Sequence, residues 1–399
     1  MPTLFYVTPT GSDHNDGTTI STSFETIQRA IEASTSSGDW NQTTIKVYPS
    51  ASSAATYHEG LNSSSPFKQG LTIEAITDNG VVYLDVGGES YGFLMGYFNT
   101  FRNFYVTGGT GHADCPTNDT IKGSTAGSPM RVEDCIFDNC TRTNRTTVAA
   151  TDRNHPFQDD AGQSWIRRCT FKNLDCTRAI SNPSQGHTEM RSILIYDSTF
   201  DFEAIFAYGA ADADGTAPTA GEMGTVVENV TIDGCTTGRD VIGLGQRAFA
   251  RNCIVSNCDA GTSNPTYYRL YRSSNTSSYT FPDGKTFFNC IAYNNEGTAG
   301  NLFYPDEQTS SCFVNQAPGY NNRSGKDFSL TSTSIALGAG TALSSASFDI
   351  NSASYTQYSS PIPIGAFQNP FVATGGDSTL NINVLASTFT MNGGTITVN

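Results

Sequence analysis

The 399-residue sequence predicts an all-β parallel solenoid, and three observations predict it. A short phrase recurs along the chain. Its copies are Val132–Cys140, Ile166–Cys176, Ile195–Asp201, Val227–Cys235, Ala250–Cys258 and Phe287–Asn295. A worn copy stands at Ser310–Asn315 and an early one, without cysteine, at Phe101–Thr107. Copies start roughly 22 to 37 residues apart, within the period range of solenoids. The aligned copies also form columns of like residues, as a coil that stacks each turn on the last would produce. Finally, charged residues are only 15% of the chain, which suits a β-rod rich in turns and not a helical bundle.

Each copy is a short alternating run followed by Asn, Asp or Gly, which reads as a strand entering a tight turn. One column holds Phe104, Cys135, Cys169, Ser198, Val230, Cys253, Cys290 and Cys312. A second, two residues on, holds Val106, Phe137, Phe171, Phe200, Ile232, Val255, Ala292 and Val314. A third holds Cys140, Cys176, Cys235 and Cys258. Stacked strands lie ~4.8 Å apart, so on the order of nine coils would make a rod about 40 to 50 Å long. The recurring Asn and Asp suit left-handed turn backbone, which their side chains tolerate and bond locally. Nine of the 10 cysteines fall in the columns, and none belongs to a Cys-x-x-Cys pair. They read as small apolar thiols filling the interior, reduced as in a cytoplasm, in preference to disulfides or metal ligands.

The ends differ from the coils. Phe5–Thr18 is a strand running into a polar turn, and Thr22-Ser-Phe-Glu25 offers a capping box. Phe24, Ile27, Ala30 and Ile31 then share one face of a short helix closed by Gly38 and Asp39, with a strand at Ile45–Pro49. A solenoid needs such an atypical unit over its open end. The expected organisation is residues 1–50 as N-terminal strand and capping helix, 51–370 as β-helix, and 371–399 as linker and β-hairpin or assembly segment.

These end segments carry a resemblance. Tyr6–Thr18, Phe24–Ile31 and Tyr57-His-Glu59 resemble the opening of proteins of the pectate-lyase-like superfamily. Asp327–Leu330, Ser334–Gly340 and Ile364–Gln368 resemble its closing signature, with Leu337-Gly338 where Ile-Asp is usual. The resemblance implies a right-handed single-stranded parallel β-helix. It does not select an activity, since lyases, hydrolases, epimerases, phage tailspikes and non-catalytic virion proteins share the fold. It also implies where chemistry would sit: paired carboxylates on an outer face, one donating a proton while the other acts as base or nucleophile.

Candidate catalytic acids are Asp201 and Glu203, and Asp159 and Asp160. Asp201-x-Glu203 follows a core strand, whereas Asp159-Asp160 reads more simply as a solvated loop. Asp197, Asp240 beside Arg239, and the pair His187 and Glu189 are weaker. Asp212-Ala-Asp214-Gly215 begins like a calcium loop but lacks the distal glutamate, so turn acidity is expected there. No cofactor is expected, with calcium at Asp212 and Asp214 as the alternative. Gly243–Ala248 mimics a dinucleotide fingerprint without its βαβ setting and is set aside. Sugar binding is expected at Tyr267, Tyr268, Arg269 and Tyr271, because aromatic faces stack on pyranose rings while Arg bonds hydroxyls or carboxylates. Trp40 and Trp165 read as packing residues.

A net charge of −15 and a pI near 4.6 argue against nucleic acid or anionic membrane as partner. No apolar run is long enough to span a bilayer, and Met1–Val7 lacks the features of a signal peptide. The expected function is a phage-type virion surface protein: a spike, fibre or capsid decoration subunit, folded in the host cytoplasm. It would be a homotrimer, meet other virion proteins through its C-terminal segment, and contact surface polysaccharide. The alternatives are an extracellular polysaccharide lyase or glycoside hydrolase, and a structural filament or adhesin subunit.

Overall fold

Strands of two to four residues cannot stand alone, so each buries its apolar side only by stacking on the same strand of the next coil. The computed structural model of the chain describes residues 3–34, 43–50, 53–62, 68–78, 80–87, 93–95, 99–108, 121–123, 130–140, 155–159, 164–186, 188–209, 225–244, 248–260, 271–273, 287–297, 303–304, 309–340 and 363–367. It is the expected parallel β-helix. A 19-stranded sheet supplies two faces, and 9-stranded and 5-stranded sheets supply the others.

The first face begins at Leu4–Val7, Thr44–Val47 and Thr72–Ala75 and ends at Phe287–Phe288 and Thr309–Ser310. The second runs from Ala55–His58 and Val82–Asp85 to Ile291–Tyr293 and Phe313–Val314. Two long strands, Glu189–Tyr196 and Val226–Asp233, pass through both faces and fuse them into one sheet. The third face spans Asp175–Cys176 to Glu296–Gly297, and the fourth Leu61–Asn62 to Phe303–Tyr304.

Two turns flank the second face, and left-handed backbone marks both. Between the first and second faces stand Asn103 (φ 68°), Asp134 (57°), Arg168 (52°), Ser192 (53°), Asn229 (51°), Asn252 (53°), Asn289 (50°) and Ser311 (53°). After the second face stand Asn139, Asn173, Asp197, Asn257, Asn294 and Asn315, with Gly108 and Gly234 in equivalent places. Asparagine side chains also reach down a coil, as from Asn103 Nδ2 to Ala75 O (3.3 Å) and from Asn294 Nδ2 to Asn257 Oδ1 (2.7 Å).

The interior is a stack of fully buried aliphatic, aromatic and thiol side chains, with Phe137 on Phe171 at 4.7 Å and nearly coplanar. Eight of the described cysteines are buried and Cys312 is half-buried, all nine free. The register corrects all three columns. Phe171 pairs with Ile195 and Cys176 with Phe200, so Ile193 and Ile195, not Ser198 and Phe200, continue the Cys169 and Phe171 columns. Ser198 instead belongs one turn later, with Leu174 and Cys235. The polar Ser192 at the first turn disguised that copy of the phrase. In the third column Leu174, not Cys176, follows Cys140.

At the N-terminal end the helix is Ile27–Ala33, capped by Thr26, and it buries Ile27, Ala30 and Ile31. The capping box joins Thr19 and Thr22 on the short 3-10 turn Ile20–Thr22, not Thr22 and Glu25. Phe24 precedes the helix, bridged to Val7 and packed on Phe5 at 5.6 Å. The helix is shorter than expected because two carboxylates close its first turn: Asp13 accepts from Thr26 N, and Glu59 from Ile27 N and Gln28 N. It ends at Ser34, before Gly38 and Asp39, which lie outside the described residues.

At the other end an antiparallel hairpin, Tyr320–Asn322 with Asp327–Leu330, begins a strap along the outside of the second face. Leu330, Ala336 and Ile364 pack on Ile254 and Ile291, while Phe328 and Ala366 pack on Leu194. Arg323 binds Asp233 (Nε to Oδ2, 2.7 Å) and Lys326 binds Asp197 (2.5 Å). Contacts group Met1–Gln368 as one unit and Asn369–Asn399 as another, the latter outside the described residues.

Candidate functional site

Outward positions on a strand normally hold polar residues that water solvates. On the first face one such column is charged on successive rungs: Glu74, Arg102, Glu133, Arg167, Arg191, Glu228 and Arg251 are in register. Two residues earlier on the same strands run Arg131, Trp165, Glu189, Val226 and Phe249. The two columns meet in an ion-pair network. Arg167 Nη2 donates to Glu189 Oε2 (2.5 Å), and Arg191 Nε lies 3.4 Å from that same oxygen. Arg191 Nε is also 3.1 Å from Glu228 Oε2, and Arg251 Nε donates to Glu228 Oε1 (2.8 Å).

Burial is deepest at the centre of this network. The Glu228 side chain is fully buried, with Arg191 6% and Arg251 14% exposed. Burial pushes the Glu228 carboxyl above its ordinary range, against the charges of Arg251 and Arg191, and pushes the Arg251 guanidinium below its own. Arg191 Nε and Glu228 Oε2 approach without hydrogen-bond alignment, and neither has such a partner among the described residues. Above them, Arg131 is exposed and lies over the Trp165 ring at 5.0 Å, beside the partly exposed Arg167 and Glu189. Through Glu189 the buried Arg191–Glu228 pair therefore holds Arg167, while Arg131 and Trp165 hold each other. Aromatic, cationic and anionic groups together can stack on a ring and both donate to and accept from hydroxyls.

Of the sequence candidates among the described residues, only Glu189 belongs to this network. Glu203 is buried at the corner between third and fourth faces, where Arg178 Nε donates to it (2.7 Å) and Arg239 lies 4.0 Å away. Arg178 and Arg239 flank the Phe202 ring. Asp201 is half-buried at the same corner and Asp240 is buried beside it. Asp159 is fully buried and accepts from Thr188 Oγ1 (2.6 Å). Glu189, weighed with His187, joins the first-face network, while Asp197 pairs with the strap. Tyr271 lies in the fourth-face strand Tyr271–Ser273. Asp160, His187, Asp212, Asp214, Tyr267, Tyr268, Arg269 and Trp40 lie outside the described residues. Among the described residues no group of three His, Cys, Asp or Glu side chains could hold a metal ion.

Sequence reasoning missed Trp165, Arg167, Arg191, Glu228 and Arg251. Trp165 points out of the coil, not into it. The signal was present: in six of the eight copies, from Arg102-Asn103 to Arg251-Asn252, the residue just before the turn Asn, Asp or its substitute is Arg or Glu.

No family model and no curated protein matches the chain. Solved structures similar to it include pectate lyase Pel9A, at 13% identity over 92% of this chain and 96% of that one, with a TM-score of 0.42. A complex of XylC with xylose matches at 10% identity over 75% and 76% of the two chains, with a TM-score of 0.41. The lacto-N-biosidase from Eubacterium ramulus matches at 10% identity over 78% and 67%, with a TM-score of 0.38. At such identities the likeness is one of chain path, and the chemistry at the first face is that of this chain's own residues.

Proposed function

We propose that this β-helix is a polysaccharide-contacting protein whose first face carries the contact. The observation behind this reading is the strip in which buried Arg191 and Glu228 hold Glu189 and, through it, Arg167, beside the accessible Arg131–Trp165 pair. Such preorganisation lowers the entropic cost of binding. The setting we propose is a virion surface, as a spike, fibre or decoration subunit. The thiols support it, since the nine among the described residues are free and suit folding in a reducing cytoplasm.

The full chain run through native gels cast with bacterial capsular and exopolysaccharides tests the reading. Retardation by at least one polymer is expected, with Trp165→Ala and Arg167→Ala abolishing it and thermal unfolding unchanged. Retardation that survives both substitutions would sink the assignment to this face.

A depolymerase is the second reading, and one observation favours it. Glu189 and Glu228 both approach Arg191 Nε, so their oxygens lie no farther apart than those two short distances combined. Of the two only Glu189 is open to solvent, so it is the acid that could reach a glycosidic bond, with Glu228 fixing the position of Arg191 beside it. Release of reducing ends from a retarding polymer, lost in Glu189→Gln, would establish it.

A further inference from the structure

The outward side of the second face is divided. The strap covers it at Leu194, Ile254 and Ile291. On preceding rungs the register position of Leu194 passes to Thr170, Ile136, Tyr105 and Tyr83, all half-exposed. There the Tyr83 and Tyr105 rings lie 4.8 Å apart, tilted by 50°. The Tyr105 hydroxyl donates to Asp138 Oδ2. Asn173 Nδ2 donates to Asp138 Oδ1 (2.7 Å), and Lys172 Nζ sits 3.3 Å from Asp138 Oδ2. Lys172 also lies over the Tyr105 ring, 5.4 Å from its centroid. All five side chains stand outside the coil, so core packing does not explain them.

We propose that Tyr83, Tyr105, Asp138, Lys172 and Asn173 form a binding site for an oligosaccharide of uncharged hexoses, separate from the first face. Tyrosine offers broad, rigid contact with few torsions to freeze, and the bond to Asp138 anchors the Tyr105 ring. Ring faces take the C–H side of a pyranose, while Asp138 accepts from hydroxyls and Lys172 and Asn173 donate to them. Rungs repeat every ~4.8 Å, close to the length of one hexose in a linear chain, so successive rings can meet successive sugars. The charge balance sets the ligand class. Asp138 neutralises Lys172, Asp85 on the rung of Tyr83 holds His58 (3.0 Å), and the net charge is −15, so no free cation on this face favours a uronate among the described residues.

The test uses calorimetry and saturation-transfer NMR on the full chain with maltohexaose, cellohexaose, mannohexaose and chitohexaose, and oligogalacturonate as a charged control. We expect saturable binding of at least one neutral hexaose, with saturation transferred to ring C–H protons. Tyr83→Ala should weaken it about tenfold, which is ~1.4 kcal/mol. Tyr105→Phe should weaken it by about threefold, less than Tyr83→Ala, since the ring remains but its anchor to Asp138 is lost. Trp165→Ala should leave it unchanged. Binding lost in Trp165→Ala but kept in Tyr83→Ala would overturn the second site and leave the first standing. No neutral hexaose bound tighter than about 1 mM would also overturn it, as would preference for oligogalacturonate.

Discussion

Glu228 faces outward from its strand yet is sealed between two arginines, and its raised pKa shows that burial outweighs their attraction. The sign follows directly. A folded-state pKa above the ordinary 4.5 means a contribution to stability that is fully present below that value and lost as pH rises through the folded value. Glu228→Gln keeps the shape without the charge. It should be at least as stable as the parent at neutral pH, with the difference vanishing as pH falls below about 4.5. Urea unfolding of both proteins across that range checks this, and a variant clearly weaker at neutral pH would contradict it. The same variant should bind polysaccharide less well, because Arg191 loses its lower anchor. An acid kept at a cost to stability is what a functional site looks like. At this scale the turn asparagines were legible because only Asn, Asp and Gly take left-handed backbone cheaply. Arg168 was not. It adopts φ 52° and is held there by a bidentate bond to Asp134, at 2.6 and 2.7 Å, which no local rule anticipates.

Among the elements, the strap is the one whose packing the sequence half-disclosed. Its segments stood out as a closing signature, but the surface it covers did not. The clue lay in broken alternation: Ile193-Leu194-Ile195, Cys253-Ile254-Val255 and Cys290-Ile291-Ala292 are apolar on both sides of the strand, as doubly covered strands are. Two of the strap's contacts can be tested one at a time. Gly365 has φ +101°, its N–H donates to Asn252 O, and an added Cβ would lie 2.7 Å from Ile254 Cδ1. Gly365→Ala is therefore expected to cost about 2 kcal/mol in thermal or urea unfolding. Arg323 shields Asp233, whose side chain is only 2% exposed but also accepts from Ser256 and Asn257. Arg323→Ala should accordingly leave the coil folded and speed amide exchange only across Asp327–Leu330. Equal acceleration in the first-face strands would show that the strap and the coil open together.

For the whole molecule, a solenoid holds each coil only through its neighbours, so opening should start at an end and proceed inward. The thiols report this order. Cys312 is half-buried on the last rung of the second face, next to Cys290 and then Cys253, while Cys135 and Cys169 lie deep in the stack. Burial raises the Cys135, Cys235 and Cys290 thiols well above their ordinary range, and several donate to the backbone two residues before, as Cys135 does to Glu133 O (3.2 Å). Buried neutral thiols do not react, because the thiolate is the nucleophile. Pulse labelling with a maleimide in rising urea should therefore modify Cys312 first, then Cys290 and Cys253, with Cys135 and Cys169 protected longest. Dithiothreitol should leave the melting temperature unchanged, since the described cysteines are free. Simultaneous labelling of all five would mean that the coils between them melt as one unit, with nearest-neighbour coupling stronger than the stability of any single coil.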